Sequence, residues 1–116
     1  VSWIVLAGFL LKIPEYIIED FQGKIINIHP ALLPKYGGKG MYGMNVHRSV
    51  IENNETESGI SIHYVNKNYD EGKMIFQASC AINAGDSPED LANKIRLLEH
   101  QHYPKVIEET IKNSAQ

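Results

Sequence analysis

The stretch Lys24-Ile25-Ile26-Asn27-Ile28-His29-Pro30 decides how the chain reads. Its isoleucines fall on both sides of an extended backbone, the pattern of a strand buried on two faces rather than one. Pro30 cannot donate to a ladder and stops the strand at His29. Upstream, Ile4-Val5-Leu6 is a continuous apolar run with β-branched residues, ended by Ala7-Gly8 and also expected to be buried on both faces. Between the two, Pro14 opens a short predicted helix that runs to Phe21, with Tyr16, Ile17 and Phe21 on one side and Gly23 just past its end. A strand, a helix and a strand joined by short links make a right-handed crossover. Ile4–Leu6 and Lys24–His29 are therefore expected to pair in parallel within an open α/β sheet.

Downstream the periodicity changes twice. Gly43 to Asn53 has helical spacing through Val46, Val50 and Ile51. Gly59 to Asn66 alternates, with Ile60, Ile62 and Tyr64 on one face and Ser61, His63 and Val65 on the other. A turn at Asn68-Tyr69-Asp70-Glu71-Gly72 leads to a further strand, Met74 to Ile82. Those two strands are expected to pair antiparallel, which makes the sheet mixed. Ser87-Pro88-Glu89-Asp90 is a helix start: a cap, a proline at the first helical position, and acids at the positive end of the dipole. Leu91, Ile95, Leu98 and His102 continue as a stripe expected to pack across the sheet, and Pro104 is expected to kink or split this helix before Val106.

The totals bound what such a sheet can serve. At 116 residues the chain makes one domain, and 43% apolar with 22% charged residues is an ordinary globular composition. A net charge of -3 with no lysine or arginine block argues against a nucleic-acid surface, because phosphate binding needs clustered cations. The longest apolar run, Trp3 to Leu11, is about half of what a membrane span needs, so no membrane partner is expected. One cysteine, Cys80, excludes an internal disulfide and suits a reducing compartment, so a cytoplasmic protein is expected. The chain opens on Val1-Ser2-Trp3 with no initiator methionine, already inside a strand pattern; the expectation is that it begins within a larger domain.

Asn27 and His29 lie two apart on a strand, so their side chains leave the same face, close to the strand's carboxyl end. In open α/β sheets ligands bind at that edge. Polar groups buried there are costly unless hydrogen-bonded, so the pair either holds loop backbone or serves chemistry, and the second reading is the stronger. Asp70, in a turn with Gly72, reads on spacing alone as backbone geometry more readily than as catalysis. His63 reads as a satisfied interior histidine rather than a site residue, and His47 as a helical residue beside the glycine loop. His100 and His102 cannot face one ligand from a helix. No pair has metal-ligand spacing, so no metal is expected. The glycine-dense segment Gly37 to Gly43 is either an anion cradle or a surface loop, and it lacks the P-loop pattern.

Together, Asn27-Ile28-His29-Pro30-Ala31-Leu32-Leu33-Pro34-Lys35-Tyr36, Asp70-Glu71-Gly72, Leu98-Glu99-His100-Gln101-His102-Tyr103-Pro104 and Val5-Leu6-Ala7-Gly8-Phe9 resemble the phosphoribosylglycinamide formyltransferases. The Asn-x-His core is shared by formyltetrahydrofolate-dependent formyltransferases and hydrolases generally. The resemblance covers nearly the whole chain. It implies a Rossmann-like formyltransferase fold: a mixed, mostly parallel sheet flanked by helices, with residues 1–116 as its folate-binding and catalytic portion. It implies purine synthesis, with transfer of a formyl group from 10-formyltetrahydrofolate, the folate co-substrate, to the amine of glycinamide ribonucleotide. Asn27, His29 and Asp70 match the family's catalytic trio. Leu10, Leu11, Lys12 and Ile13, together with Asn66, Lys67, Asn68, Tyr69 and Asp70, match segments that hold the folate, as does Asn27. Arg96 and Glu99 match positions that contact the ribonucleotide. The family's N-terminal half, with its phosphate-binding glycine loop, is missing. That implies a chain nearly inactive alone and an exposed first strand that favours a homodimer. The alternatives are a formyltetrahydrofolate hydrolase, or a truncated folate-binding fragment that catalyses nothing.

Overall fold

The computed structural model describes residues 3–7, 15–21, 24–37, 40–65 and 73–114. Four strands and three helices follow in chain order: β1 (Ile4–Ala7), α1 (Glu15–Asp20), β2 (Ile25–His29), α2 (Met44–Glu52), β3 (Glu57–Tyr64), β4 (Met74–Ala81) and α3 (Pro88–Ser114). The strands form one sheet in the order β1-β2-β3-β4. β1 and β2 are parallel, with Leu6 opposite Asn27, as the crossover requires. β2–β3 and β3–β4 are antiparallel, so the sheet is mixed; among the described strands β1–β2 is the one parallel pair.

β2 is buried along its whole length, and its two faces meet different partners. Ile26 and Ile28 join Ile60 and Ile62 of β3 against Val46 and Val50 of α2 and Leu91, Ile95 and Val106 of α3, forming the main core. On the opposite face Ile25 packs with Val65, Ile4, Leu6 and Phe21. The stripe Leu91, Ile95, Leu98 thus lies against the sheet as the spacing predicts. The cap reading of Ser87 also holds: its Oγ accepts from the Asp90 amide at 3.1 Å, and Asp90 Oδ2 accepts from the Ser87 amide at 3.0 Å.

One expectation fails, and of the two outcomes expected at Pro104 the split does not occur. β1 is not buried on both faces: Ile4 and Leu6 are half-buried but Val5 is 43% exposed. Among the described elements β1 has a hydrogen-bonded neighbour on one side, and the helices that cover Ile26 and Ile28 leave Val5 open. Pro104 does not split its helix either; α3 runs unbroken through it for 27 residues. Pro104 is exposed, so its ring meets no core atom, and the lost amide hydrogen bond is flanked by strong anchors. Val106 is buried in the core two residues on. Next to Pro104, the Tyr103 hydroxyl reaches the Leu6 carbonyl at 2.5 Å and the Ile26 carbonyl at 3.3 Å, tying α3 to both parallel strands. Burial and this carbonyl contact act in opposite directions on the Tyr103 phenol, and burial wins, raising its pKa above the ordinary value.

Gly59 is the tightest point of the sheet. A Cβ placed there would stand 2.0 Å from the Ala78 carbonyl oxygen and 2.7 Å from Leu32 Cδ2. β3 can therefore pass under the loop after β2 only without a side chain at this position. Gly59→Ala is expected to destabilise the chain by about 3 kcal/mol, read as a lowered urea midpoint; an unchanged midpoint would show that β4 moves aside at no cost.

Candidate active site

Asn27 and His29 project from the same face of β2, 0% and 2% exposed. The antiparallel register sets His63 opposite Asn27 and Ser61 opposite His29, so four polar side chains share one patch inside an isoleucine sheet. Each is hydrogen-bonded, as burial demands. Asn27 Nδ2 donates to His63 Nε2 at 3.2 Å, while His63 Nδ1 donates to the Tyr64 carbonyl at 2.9 Å. Those two contacts agree on one tautomer: His63 carries its proton on Nδ1 and accepts on Nε2. The amide of Asn27 is thereby oriented. His29 Nε2 donates to the Tyr36 carbonyl at 2.6 Å, which likewise fixes the proton on that nitrogen.

The segment carrying Tyr36 is held down from the sheet. Ser61 Oγ donates to the Ala31 carbonyl at 2.7 Å and accepts from the Leu33 amide at 2.9 Å. Gln77 of β4 reaches across to the Leu33 carbonyl at 3.0 Å and to Ser61 Oγ at 2.9 Å. Beyond these pins Tyr36 takes φ 59, a left-handed conformation unfavourable for a side chain with a Cβ. Tyr36 also lines a cavity of about 340 Å³ with Leu33, Val50, Glu55 and Ser58.

α2 and α3 bring further ionisable groups to the same end of the sheet. His47, on the buried face of α2, is 5% exposed, and its Nδ1 has no hydrogen-bond partner among the described residues. Its pKa is lowered, first by burial and then by the positive charges of His29 and Arg96, so His47 lies within electrostatic reach of both. Arg96 is exposed on α3 and donates to Asn93 Oδ1 at 3.0 Å. Glu99, one turn further along the same helix, is half-buried, and that burial raises its pKa against the pull of His100 and Arg96.

Of the residues expected from the sequence, Asn27 and His29 share one patch, while Arg96 and Glu99 share one stretch of α3. Asp70 lies outside the described residues, and so do Leu10, Leu11, Lys12, Ile13, Asn66, Lys67, Asn68 and Tyr69. His63 is a satisfied interior histidine, as read, yet the group that satisfies it is Asn27 itself. The alternation placed Ser61 and His63 on one face; only the strand register, which fixes what lies across from them, reveals the contact. His47, Tyr36 and Gln77 were not singled out as site residues. Tyr36 acts through its backbone carbonyl, which leaves no mark on residue type.

A family model described as formyl transferase matches residues 1–107. The chain is 44% identical over 107 residues to the chloroplastic phosphoribosylglycinamide formyltransferase of Arabidopsis thaliana, covering 92% of this chain and 37% of that one. To the phosphoribosylglycinamide formyltransferase of Escherichia coli it is 39% identical over 104 residues, covering 90% of this chain and 47% of that one. The crystal structure of phosphoribosylglycinamide formyltransferase from Bacillus halodurans superposes with a TM-score of 0.84 at 31% identity, over 97% of this chain and 55% of that one. The chain thus spans between a third and a half of the length of these two curated relatives.

His47 generates a pH test. Its folded pKa is depressed below the ordinary 6.5, so the unfolded chain takes up a proton that the folded chain refuses. The corresponding stability is fully present above about pH 6.5 and is lost as pH falls toward the folded value, by at most about 1.4 kcal/mol per pH unit. Denaturant midpoints measured from pH 7 to pH 5 are expected to fall more steeply for the parent chain than for His47→Asn. Parallel slopes would show that His47 protonates in place.

Proposed function

The chain belongs to the formyl transferase family, and from that premise we propose that residues 1–116 form the folate-binding and catalytic portion of a phosphoribosylglycinamide formyltransferase. The reaction moves the formyl group of 10-formyltetrahydrofolate to the amine of glycinamide ribonucleotide, a step of purine synthesis. We read its place as the cytoplasm, in keeping with the single thiol Cys80.

The observation that carries this reading is the buried pair Asn27 and His29 at the carboxyl end of β2, each set by a hydrogen bond through an identified atom. Formyl transfer requires an amine nitrogen to bond to the formyl carbon, turning its carbonyl oxygen into an oxyanion. Collapse then breaks the bond from that carbon to the folate nitrogen, which leaves with a proton. The Asn27 amide supplies one Nδ2–H for the oxyanion while the other is donated to His63, which holds that amide in one orientation, so no reorganisation is needed as charge develops. His29 as imidazolium supplies the proton for the departing nitrogen, and the Tyr36 carbonyl on Nε2 stabilises the protonated ring. In this reading Asp70 takes the proton lost by the amine through a water, and Arg96 and Glu99 meet the ribonucleotide. A hydrolase would use the same pair with water in place of the amine; the arginine and acid on α3 favour a bound amine-bearing ribonucleotide.

Formyl transfer to glycinamide ribonucleotide, assayed on the protein as its own cell makes it, tests the reading. Asn27→Ala and His29→Ala are each expected to lower kcat by about 10²–10³-fold, with KM for the folate little changed in His29→Ala. Arg96→Ala is expected to raise KM for the ribonucleotide alone. Full turnover in His29→Ala would remove the pair from the mechanism.

A further inference from the structure

Tyr36 is held at both ends. Its carbonyl accepts the proton of His29 Nε2 at 2.6 Å, and its hydroxyl donates to Glu55 Oε2 at 2.8 Å. Glu55 follows the turn that ends α2, where Asn54 takes φ 54 and the Glu55 amide reaches the Val50 carbonyl at 3.4 Å. Lys35 Nζ also approaches Glu55 Oε2, at 3.4 Å, but its side chain is 71% exposed and the pair is loose. The Tyr36 hydroxyl is the main influence that holds the Glu55 carboxyl below the usual carboxylate range, so at neutral pH the acceptor is charged.

We propose that Tyr36 and Glu55 are positioning residues for His29: Glu55 anchors the Tyr36 side chain, the anchored residue keeps its left-handed backbone, and that backbone aims the carbonyl which sets the tautomer and orientation of the His29 ring. A non-glycine residue at φ 59 persists only where its surroundings hold it, and the described surroundings are the Ser61 and Gln77 pins before it, the core it packs against, and Glu55 and Asn53 at its side chain. The pins hold Ala31 and Leu33, three or more residues short of Tyr36, so the hydroxyl is the anchor nearest the carbonyl in question. The cavity of about 340 Å³ beside the ring gives Tyr36 room to turn once that anchor is cut. A residue remote from the chemistry, on the link between α2 and β3, thus governs which ring nitrogen of His29 carries the proton.

The catalytic consequence rests on the role given to His29 above, so the primary readout is independent of turnover. Nitrogen-15 spectra of the histidine rings report the tautomer of His29 directly in the folded chain. At a pH high enough to leave the ring neutral, the parent is expected to show the proton on Nε2. Tyr36→Phe and Glu55→Ala are each expected to give a mixture of both tautomers, and the double variant is expected to be no worse than either single one, because one link is cut in every case. Glu55→Gln, which keeps an acceptor, is expected to restore the Nε2 form, and Lys35→Ala to leave it unchanged. In the turnover assay the same two cuts are expected to lower kcat about tenfold with KM within about twofold. Should Tyr36→Phe and Glu55→Gln both fold and Tyr36→Phe keep the parent tautomer, the proposal is overturned. A tautomer that shifts while kcat stays put upholds the link and instead refutes the role of His29 in transfer.

Discussion

Everything at the site follows from burying amides and imidazoles inside a strand of isoleucines. Asn27 and His29 share β2 with Ile25, Ile26 and Ile28, none of them more than 2% exposed. A polar group so placed costs several kcal/mol unless it finds a partner, which makes each hydrogen bond obligatory rather than ornamental. His63 is opposite Asn27 because β3 must pair there, and Ser61 is opposite His29 for the same reason. The loop after β2 is then stitched to Ser61 and Gln77, and the carbonyl of Tyr36 comes to rest on His29. The low dielectric that makes these groups costly to bury also makes their dipoles strong, so the strand that stabilises the core is the one suited to stabilise an oxyanion.

The sheet was readable because its signals are local. Pro30 marks the end of β2, Gly23 ends the preceding helix, and Ser87-Pro88 with Glu89 and Asp90 marks the start of α3, each through backbone chemistry of one or two residues. Asn27 and His29 were readable because an asparagine and a histidine on a buried strand demand a reason. What escaped was set by partners distant in sequence. The exposure of Val5 depends on what lies beside β1, and the continuity of α3 through Pro104 depends on Tyr103 and Val106 holding either side of the proline. The site's supporting shell escaped for a related reason. Tyr36 serves through a carbonyl that every residue has, and Gln77 is 44 residues from the carbonyl it holds.

Charge at this end of the molecule is arranged in two tiers. Within the patch, Asn27 donates a hydrogen bond to His63, whereas His47, Arg96 and Glu99 on the helices respond to one another. Burial lowers the pKa of His47 and raises that of Glu99, and Arg96 acts on both.

The reach of Tyr103 sets an order of events in the making of the protein. Its hydroxyl closes on a carbonyl 97 residues earlier, in the first strand. Ribosomes add roughly 5–20 residues per second, so the first strand emerges on the order of 5–20 s before the side chain that ties it to the last helix. β1 and β2 can pair in that interval, before α3 exists to tie them together. The carbonyls of Leu6 and Ile26 therefore wait, through the synthesis of the whole intervening sheet, for the one side chain that joins both parallel strands to α3.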